Sequence, residues 1–261
     1  MNVAEFDFTI LLPALVAGVL VTATHVPLGI QVLNRGIVFI DLAIAQIAGL
    51  GVIVADWLGF ESLGWAVQAS ALTAAFAGAL LLTWTDKRWP EVQEAVIGVT
   101  FILAASGALI VLASNPHGAE HLKDLLVGQI LWVNPARLPL VAAVYAVVLL
   151  MWFMLGQRIG LVGFYLLFAC AVTVSVQLVG LYLVFTTLIV PALATRGIVR
   201  RRLAVSYALG AAGYALGLVV SALTDWPSGP AIVWVMTALA IIVFAFSLRN
   251  GGSAAVSRPS N

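Results

Sequence analysis

One aspartate stands inside an apolar run that is long enough to cross a bilayer. Asp41 lies within residues 36–55 (GIVFIDLAIAQIAGLGVIVA), a segment whose other polar side chain is Gln46. An ionisable side chain at that depth costs about 3 kcal/mol unless it faces a partner or a wet cavity. Two interpretations are open: a site on a transport path, or a structural carboxylate that is hydrogen-bonded to a neighbouring helix.

His25 and Gln46 are the polar residues that could share a cation with Asp41. His25 lies in THVPLG near the inner end of the first apolar run, where Pro27 is expected to loosen the helix. Counted from residues 30 and 36, His25 and Asp41 are each about five residues deep, roughly 8 Å by helical rise, so they could face each other. Imidazole and carboxylate suit zinc or manganese, and the alternative is a His–Asp hydrogen bond between two helices. Gln46 either lines the same path or hydrogen-bonds a neighbouring helix.

Two further histidines lie in a longer polar segment, residues 114–134 (SNPHGAEHLKDLLVGQILWVN). If this segment is helical from about Pro116, His117 and His121 share one face, with Asp124 about a turn further on. Two imidazoles and a carboxylate can hold a divalent ion. The segment is therefore either a place of metal capture outside the membrane or a solvated amphipathic loop.

The elements that must position these residues are membrane spans. Of 261 residues, 63% are hydrophobic and 9% charged, whereas a soluble domain carries about 25% charged residues. Windows that can cross the hydrocarbon lie at residues 8–30, 36–56, 64–84, 95–113, 138–155, 161–178, 179–194, 203–224 and 231–246. Gly180 and Gln177 alone mark a turn between the sixth and seventh windows. The sequence therefore predicts an all-α, polytopic membrane helix bundle of about eight to nine transmembrane helices.

Basic residues predict the orientation of this bundle. Most of them lie in alternate connections and after the last window, at Arg35, Lys87, Arg88, Arg158, Arg196, Arg200, Arg201, Arg202 and Arg249; the exceptions, Lys123 and Arg137, lie in a longer outer loop with local acids, which the rule tolerates. The positive-inside rule then places these connections and the C-terminus in the cytoplasm and the N-terminus outside. Residues 1–249 are expected to form one transmembrane domain, and residues 250–261 (NGGSAAVSRPSN) a disordered cytoplasmic tail. The cluster Arg196, Arg200, Arg201 and Arg202 is either a cytoplasmic anchor or a docking surface for a partner.

Missing motifs exclude several activities. The sequence has no GxxxxGK[ST] loop, so the chain does not bind ATP by that route. It has no HExxH motif, which argues against an intramembrane zinc protease. The net charge of +1 gives no argument for a nucleic-acid partner. The chain is expected to be a transport protein and not an enzyme.

Four segments, in order, resemble the integral membrane permeases of zinc/manganese-type ABC transporters. They are PLGIQVLNRGIVFIDLAIAQIAGLGV (27–52), QEAVIGVTFILAASGALI (93–110), LLVGQILWVN (125–134) and VGLYLVFTTLIVPALATR (179–196). In that family a Pro-Leu-Gly and a basic residue precede a helix with a buried Asp, the place of Asp41. An acidic residue opens the fourth span, the place of Glu94.

The resemblance implies a function and partners. Residues 1–249 would be the permease domain of a homodimer in the lipid of a bacterial cytoplasmic (inner) membrane. A separate cytoplasmic ATPase subunit would hydrolyse ATP, and an extracytoplasmic metal-binding protein would deliver the cargo. That cargo would be a divalent transition metal, zinc or manganese, with no cofactor bound permanently. The buried Asp contributes to metal passage in this family, and that role carries over to Asp41.

Two departures from the family pattern keep alternatives open. The family usually has a His four residues after the buried Asp, where this chain has Ala45; His25 is hypothesised to substitute. The family also has an amphipathic docking segment between the fifth and sixth spans, where this chain has only GQRIG (156–160). The alternatives are an ATP-independent metal carrier or channel, or a non-transporting membrane partner or sensor.

Overall fold

The computed structural model describes residues 8–60, 64–112, 130–155, 158, 160–198 and 200–255, and within them it contains helices and no strand. The helices are α1 Phe8–Arg35, α2 Ile40–Trp57, α3 Trp65–Arg88, α4 Gln93–Leu112, α5 Leu138–Leu155, α6 Gly160–Val179, α7 Leu181–Ala194, α8 Arg202–Thr224 and α9 Ser228–Ala255. Short 3-10 turns occur at Pro90–Val92, Ile130–Trp132 and Pro135–Arg137. This architecture confirms the predicted all-α bundle.

Eight of these helices are long and apolar enough to cross a membrane, and α7 is a shorter apolar helix. Its 14 residues rise about 21 Å, less than the ~30 Å of a bilayer hydrocarbon core. The predicted turn between α6 and α7 occurs at Gly180, whose φ of 85° lies in the region that only glycine enters without steric cost. One apolar stretch is thereby divided into two helices, as predicted.

The helices pack in two groups that share α6. In the first, α2 packs against α3 and α4, and α3 packs against α6. In the second, α1 packs against α7 and α8, and α9 covers α8 and α7. Helix α5 is peripheral, with 11% of its most apolar window buried within the chain. Residues on α2 and α6 therefore lie near the centre of the bundle.

Contacts between helix ends define one end of the bundle, which we call the basic end. The Arg35 guanidinium at the end of α1 lies 4.5 Å from the Phe164 ring near the start of α6. The Tyr165 hydroxyl donates to Asp86 Oδ2 in the last turn of α3, at 3.3 Å. These contacts bring the basic ends of α1 and α3 to one face of the bundle, as the alternation of basic residues predicts. The side of the membrane on which this end lies stays a prediction.

The depth predicted for His25 is wrong. Helix α1 does not end near residue 30: it includes both Pro13 and Pro27 and continues to Arg35. Pro27 cannot donate a backbone hydrogen bond to the Ala23 carbonyl, and that carbonyl accepts from the Tyr207 hydroxyl at 3.0 Å instead. His25 is therefore about 15 Å of helical rise from the end of α1, whereas Asp41 lies in the first turn of α2.

The C-terminal helix passes the predicted domain boundary. Helix α9 continues to Ala255, and residues 256–261 lie outside the described residues. The division into a transmembrane domain of residues 1–249 and a disordered tail stays a prediction.

Candidate functional site

Asp41 is fully buried in the first turn of α2, with 0% of its surface exposed. Neither carboxylate oxygen has a hydrogen-bond partner among the described residues. The first turn of a helix carries free N–H groups and the positive end of the helix dipole, which together favour an anion there. Within the described part of the chain no neighbouring helix donates a hydrogen bond to Asp41, so its carboxylate oxygens can accept a cation.

Glu94, which opens α4, lies at the same place. The backbone N–H of Phe39, the residue before α2, donates to Glu94 Oε1 at 3.3 Å. The other oxygen, Oε2, is buried and has no partner among the described residues. Glu94 is also close enough to Asp41 for a repulsive charge interaction. Two carboxylates thus meet where α2 and α4 begin.

A polar network holds the start of α4 in this position. The Gln93 side-chain amide donates to the Leu82 carbonyl at 2.9 Å and to the Tyr165 hydroxyl at 3.3 Å. The Thr85 hydroxyl donates to Gln93 Oε1 at 2.9 Å. These bonds fix the first residue of α4 against α3 and α6. The next residue is Glu94, so its approach to α2 is determined by this network.

Gln46 and Ala45 line a small cavity further along α2. Its other lining residues belong to α2, α4, α6 and α7, and are Gly49, Ile53, Ala108, Val176 and Leu181. Ala45 and Gly49 follow Asp41 at four-residue spacings, so they share its helix face. The face of α2 that carries Asp41 is therefore continuous with the cavity, and small side chains leave room along it. Gln46 lies at the wall of this cavity, and its role in a transport path stays a prediction.

His25 belongs to a different interface. It shares one face of α1 with Gly18, Thr22 and Gly29, and that face packs against α8 and α7: added Cβ atoms would meet Tyr214 at Gly18 and Leu188 at Gly29. Its Nδ1 lies 3.0 Å from the Val21 carbonyl oxygen, and its buried Nε2 has no partner in the described chain.

The structure does not join His25 to Asp41. Both Asp41 oxygens and His25 Nε2 lack partners among the described residues, so no His–Asp hydrogen bond links the two helices. The main neighbours of the two helices differ: α1 packs chiefly against α7 and α8, and α2 chiefly against α3 and α4. In the described residues no group of three or more His, Cys, Asp or Glu side chains could hold a metal ion. A role of His25 as substitute ligand stays a hypothesis.

The remaining histidines of the sequence prediction, His117 and His121, lie in residues 113–129, outside the described residues. Their role in metal capture stays a prediction.

The four arginines near the start of α8 divide into two pairs. Arg196 lies over the Phe244 ring of α9 at 5.5 Å, and Arg202 donates through Nη2 to the Ala192 carbonyl at 3.1 Å. These two brace the connection between α7 and α8. Arg200 and Arg201 are exposed, as Arg196 also is, and Arg201 has a left-handed backbone with φ 65°. A docking surface in this cluster would therefore use Arg200 and Arg201.

Comparison with known proteins gives one family and two similar folds. A model of the ABC 3 transport family matches residues 7–165 and 155–247. The structure of PsaBC from Streptococcus pneumoniae in complex with Fab is 20% identical, with a TM-score of 0.73 over 92% of this chain and 92% of that one. A metal-chelate type ABC transporter in an inward-facing conformation is 15% identical, with a TM-score of 0.67 over 96% of this chain and 91% of that one. At these identities the two structures show a shared fold.

Proposed function

Because this chain belongs to the ABC 3 transport family, whose model matches most of its length, we propose that it is the membrane-spanning permease subunit of an importer for a divalent transition metal, zinc or manganese. The family match confirms the resemblance to ABC transporter permeases that the sequence segments indicated. The metal class is supported by the donor chemistry of Asp41 and by the metal-chelate type of one structural neighbour.

Asp41 carries this proposal. A fully buried carboxylate with two free oxygens is costly in a membrane bundle. Its helix face continues through Ala45 and Gly49 to a cavity. A cation that enters along this face meets Asp41 as the first strong acceptor on α2. It can pair with the Asp41 carboxylate, which has no partner of its own among the described residues. A path site must bind weakly enough to release its ion, and a carboxylate with few protein co-ligands meets that requirement.

The remaining parts of the importer follow from the family. A permease subunit is not itself catalytic, so a separate cytoplasmic ATPase would supply the energy and an extracytoplasmic metal-binding protein the cargo. The chain would act as a homodimer in a bacterial inner membrane, with its N-terminus outside and the basic end in the cytoplasm. Arg200 and Arg201, the exposed pair at that end, would contact the ATPase.

The test is uptake by the complete transporter in liposomes, measured with Mn²⁺ and with Zn²⁺. Asp41→Asn is expected to lower ATP-dependent uptake at least tenfold. Asp225→Asn is the matched control, because Asp225 is exposed and asparagine tolerates its left-handed backbone. Uptake by Asp41→Asn at the wild-type rate would overturn the role of Asp41.

A second candidate is an ATP-independent carrier or channel. One observation favours it: α5 ends at Leu155 and α6 begins at Gly160, which leaves little chain for a docking segment in that connection. Metal uptake by wild-type liposomes that is unchanged when ATP is omitted would favour the carrier over the importer.

A further inference from the structure

Three buried carboxylate oxygens without partners meet where α2 and α4 begin. They are Asp41 Oδ1, Asp41 Oδ2 and Glu94 Oε2. None of them accepts a hydrogen bond from a donor of the described chain. Two like charges close together repel each other, and either a proton on one of them or a bound cation relieves that repulsion.

Glu94 is oriented by a bond of its own. Its Oε1 accepts from the Phe39 N–H, one of the backbone groups that precede α2 and have no acceptor within the helix. This bond holds the carboxylate beside the first turn of α2, where Asp41 lies, and leaves Oε2 unused.

We propose that Glu94 supplies the second carboxylate of the cation site, so that Asp41 and Glu94 bind the transported ion together through oxygen atoms alone. This inference rests on the proposed function and assigns its substrate class. Carboxylate ligands without imidazole or thiolate suit a hard cation of the manganese(II) type, whereas zinc sites in proteins are typically built from His and Cys. The place that the family fills with His holds Ala45 here, and His25 of the described chain lies on the interface of α1 with α7 and α8, so Ala45 adds no imidazole beside the two carboxylates.

Glu94→Gln separates this role from capping. The amide keeps a carbonyl oxygen that accepts from the Phe39 N–H, but it loses the charge and the second ligand oxygen. Glu91→Gln is the matched control, since Glu91 lies one turn earlier in the chain and is exposed. Binding of Mn²⁺ to the purified full-length chain is measured by electron paramagnetic resonance, and uptake by the complete transporter is measured in parallel.

Glu94→Gln is expected to weaken Mn²⁺ binding at least tenfold with an unchanged unfolding midpoint, while Glu91→Gln stays within twofold of wild type. Mn²⁺ binding by Glu94→Gln within twofold of wild type would overturn the inference. If that variant does not fold, pulsed electron paramagnetic resonance of wild type with Mn²⁺ bound decides the question. The absence of a hyperfine coupling from a nitrogen nucleus supports a site of oxygen ligands alone, and a coupling from a histidine nitrogen overturns it.

Different results would contradict the proposed importer function and the assignment of Glu94 as a ligand. If Asp41→Asn abolishes uptake and Glu94→Gln does not change binding or uptake, the assignment of Glu94 fails and the importer stands. If wild type moves neither Mn²⁺ nor Zn²⁺, the proposed function fails, and the assignment of Glu94 to a transported ion fails with it.

Discussion

Neutralising Asp41 is expected to stabilise the metal-free fold while it abolishes transport. An aspartate within a membrane span costs about 3 kcal/mol, and Asp41 has no partner in the described chain that offsets this cost. Asp41 lies in the first turn of α2, where the helix dipole stabilises its negative charge by about 0.3–1 kcal/mol. Because the figure of about 3 kcal/mol applies at the centre of a span and Asp41 lies in the first turn of α2, the net cost of the charge is at most about 2 kcal/mol.

Asp41→Leu removes this cost, and Asp41→Asn removes about half of it, because a buried amide without partners is also unfavourable. For a chain of this size about 1 kcal/mol corresponds to roughly 2–4 °C in the unfolding midpoint. The assay is thermal unfolding of the purified chain in nanodiscs with a chelator present. We expect Asp41→Leu to unfold up to roughly 4–8 °C above wild type and Asp41→Asn at an intermediate temperature.

Added metal should reverse this order. A ligand at a hundred times its dissociation constant stabilises the state that binds it by about 2.7 kcal/mol. Mn²⁺ is therefore expected to raise the midpoint of wild type above that of Asp41→Asn, whereas Asp225→Asn behaves as wild type in both conditions. The reasoning would be refuted if Asp41→Asn unfolded well below wild type in chelator, because the carboxylate would then make a stabilising contact.

Three further changes have expected outcomes. Gly29→Ala should destabilise the fold by about 1–3 kcal/mol in thermal unfolding, because the added Cβ meets the Leu188 carbonyl oxygen and backbone cannot yield as a side chain can. Replacing Arg200 with Ser and Arg201 with Asn should weaken co-purification of the ATPase without changing the unfolding midpoint, because both side chains are exposed. Ala45→His should tighten Zn²⁺ binding at least tenfold in calorimetry, because an imidazole four residues after Asp41 shares its helix face and can enter the cavity that Ala45 lines.

Each of these changes has a control. Gly98→Ala should leave stability unchanged or improve it, because no atom lies within 4 Å of the added Cβ. Arg88→Ser removes a different exposed charge at the basic end, and an equal loss of ATPase there would point to total charge rather than to docking at Arg200 and Arg201. Asp41→Asn in the Ala45→His chain should abolish the gain in Zn²⁺ binding; a gain that persists would place the zinc away from Asp41.

The helices and their order could be predicted from the sequence, because the hydropathy of a run depends on that run alone. A window of about 20 apolar residues must form a helix in a bilayer, since every backbone polar group has to be satisfied within the segment. Gly180 likewise indicated the break before α7, because glycine permits the backbone that the turn requires. The ends of the helices were less predictable: Pro27 suggested an early end to α1, but packing keeps that helix continuous to Arg35.

The sequence by itself determined that Asp41 is a costly charge in a span, because this follows from the residue type and its apolar neighbours. Only the tertiary structure decided which residues accompany it. Glu94 bonds a backbone group 55 residues away, and His25 joins the interface of α1 with α7 and α8. Tertiary contacts also distinguished Arg196 and Arg202, which hold the connection between α7 and α8, from Arg200 and Arg201. A hydropathy pattern records which residues are buried, whereas the partner of a buried polar group depends on which helices pack together.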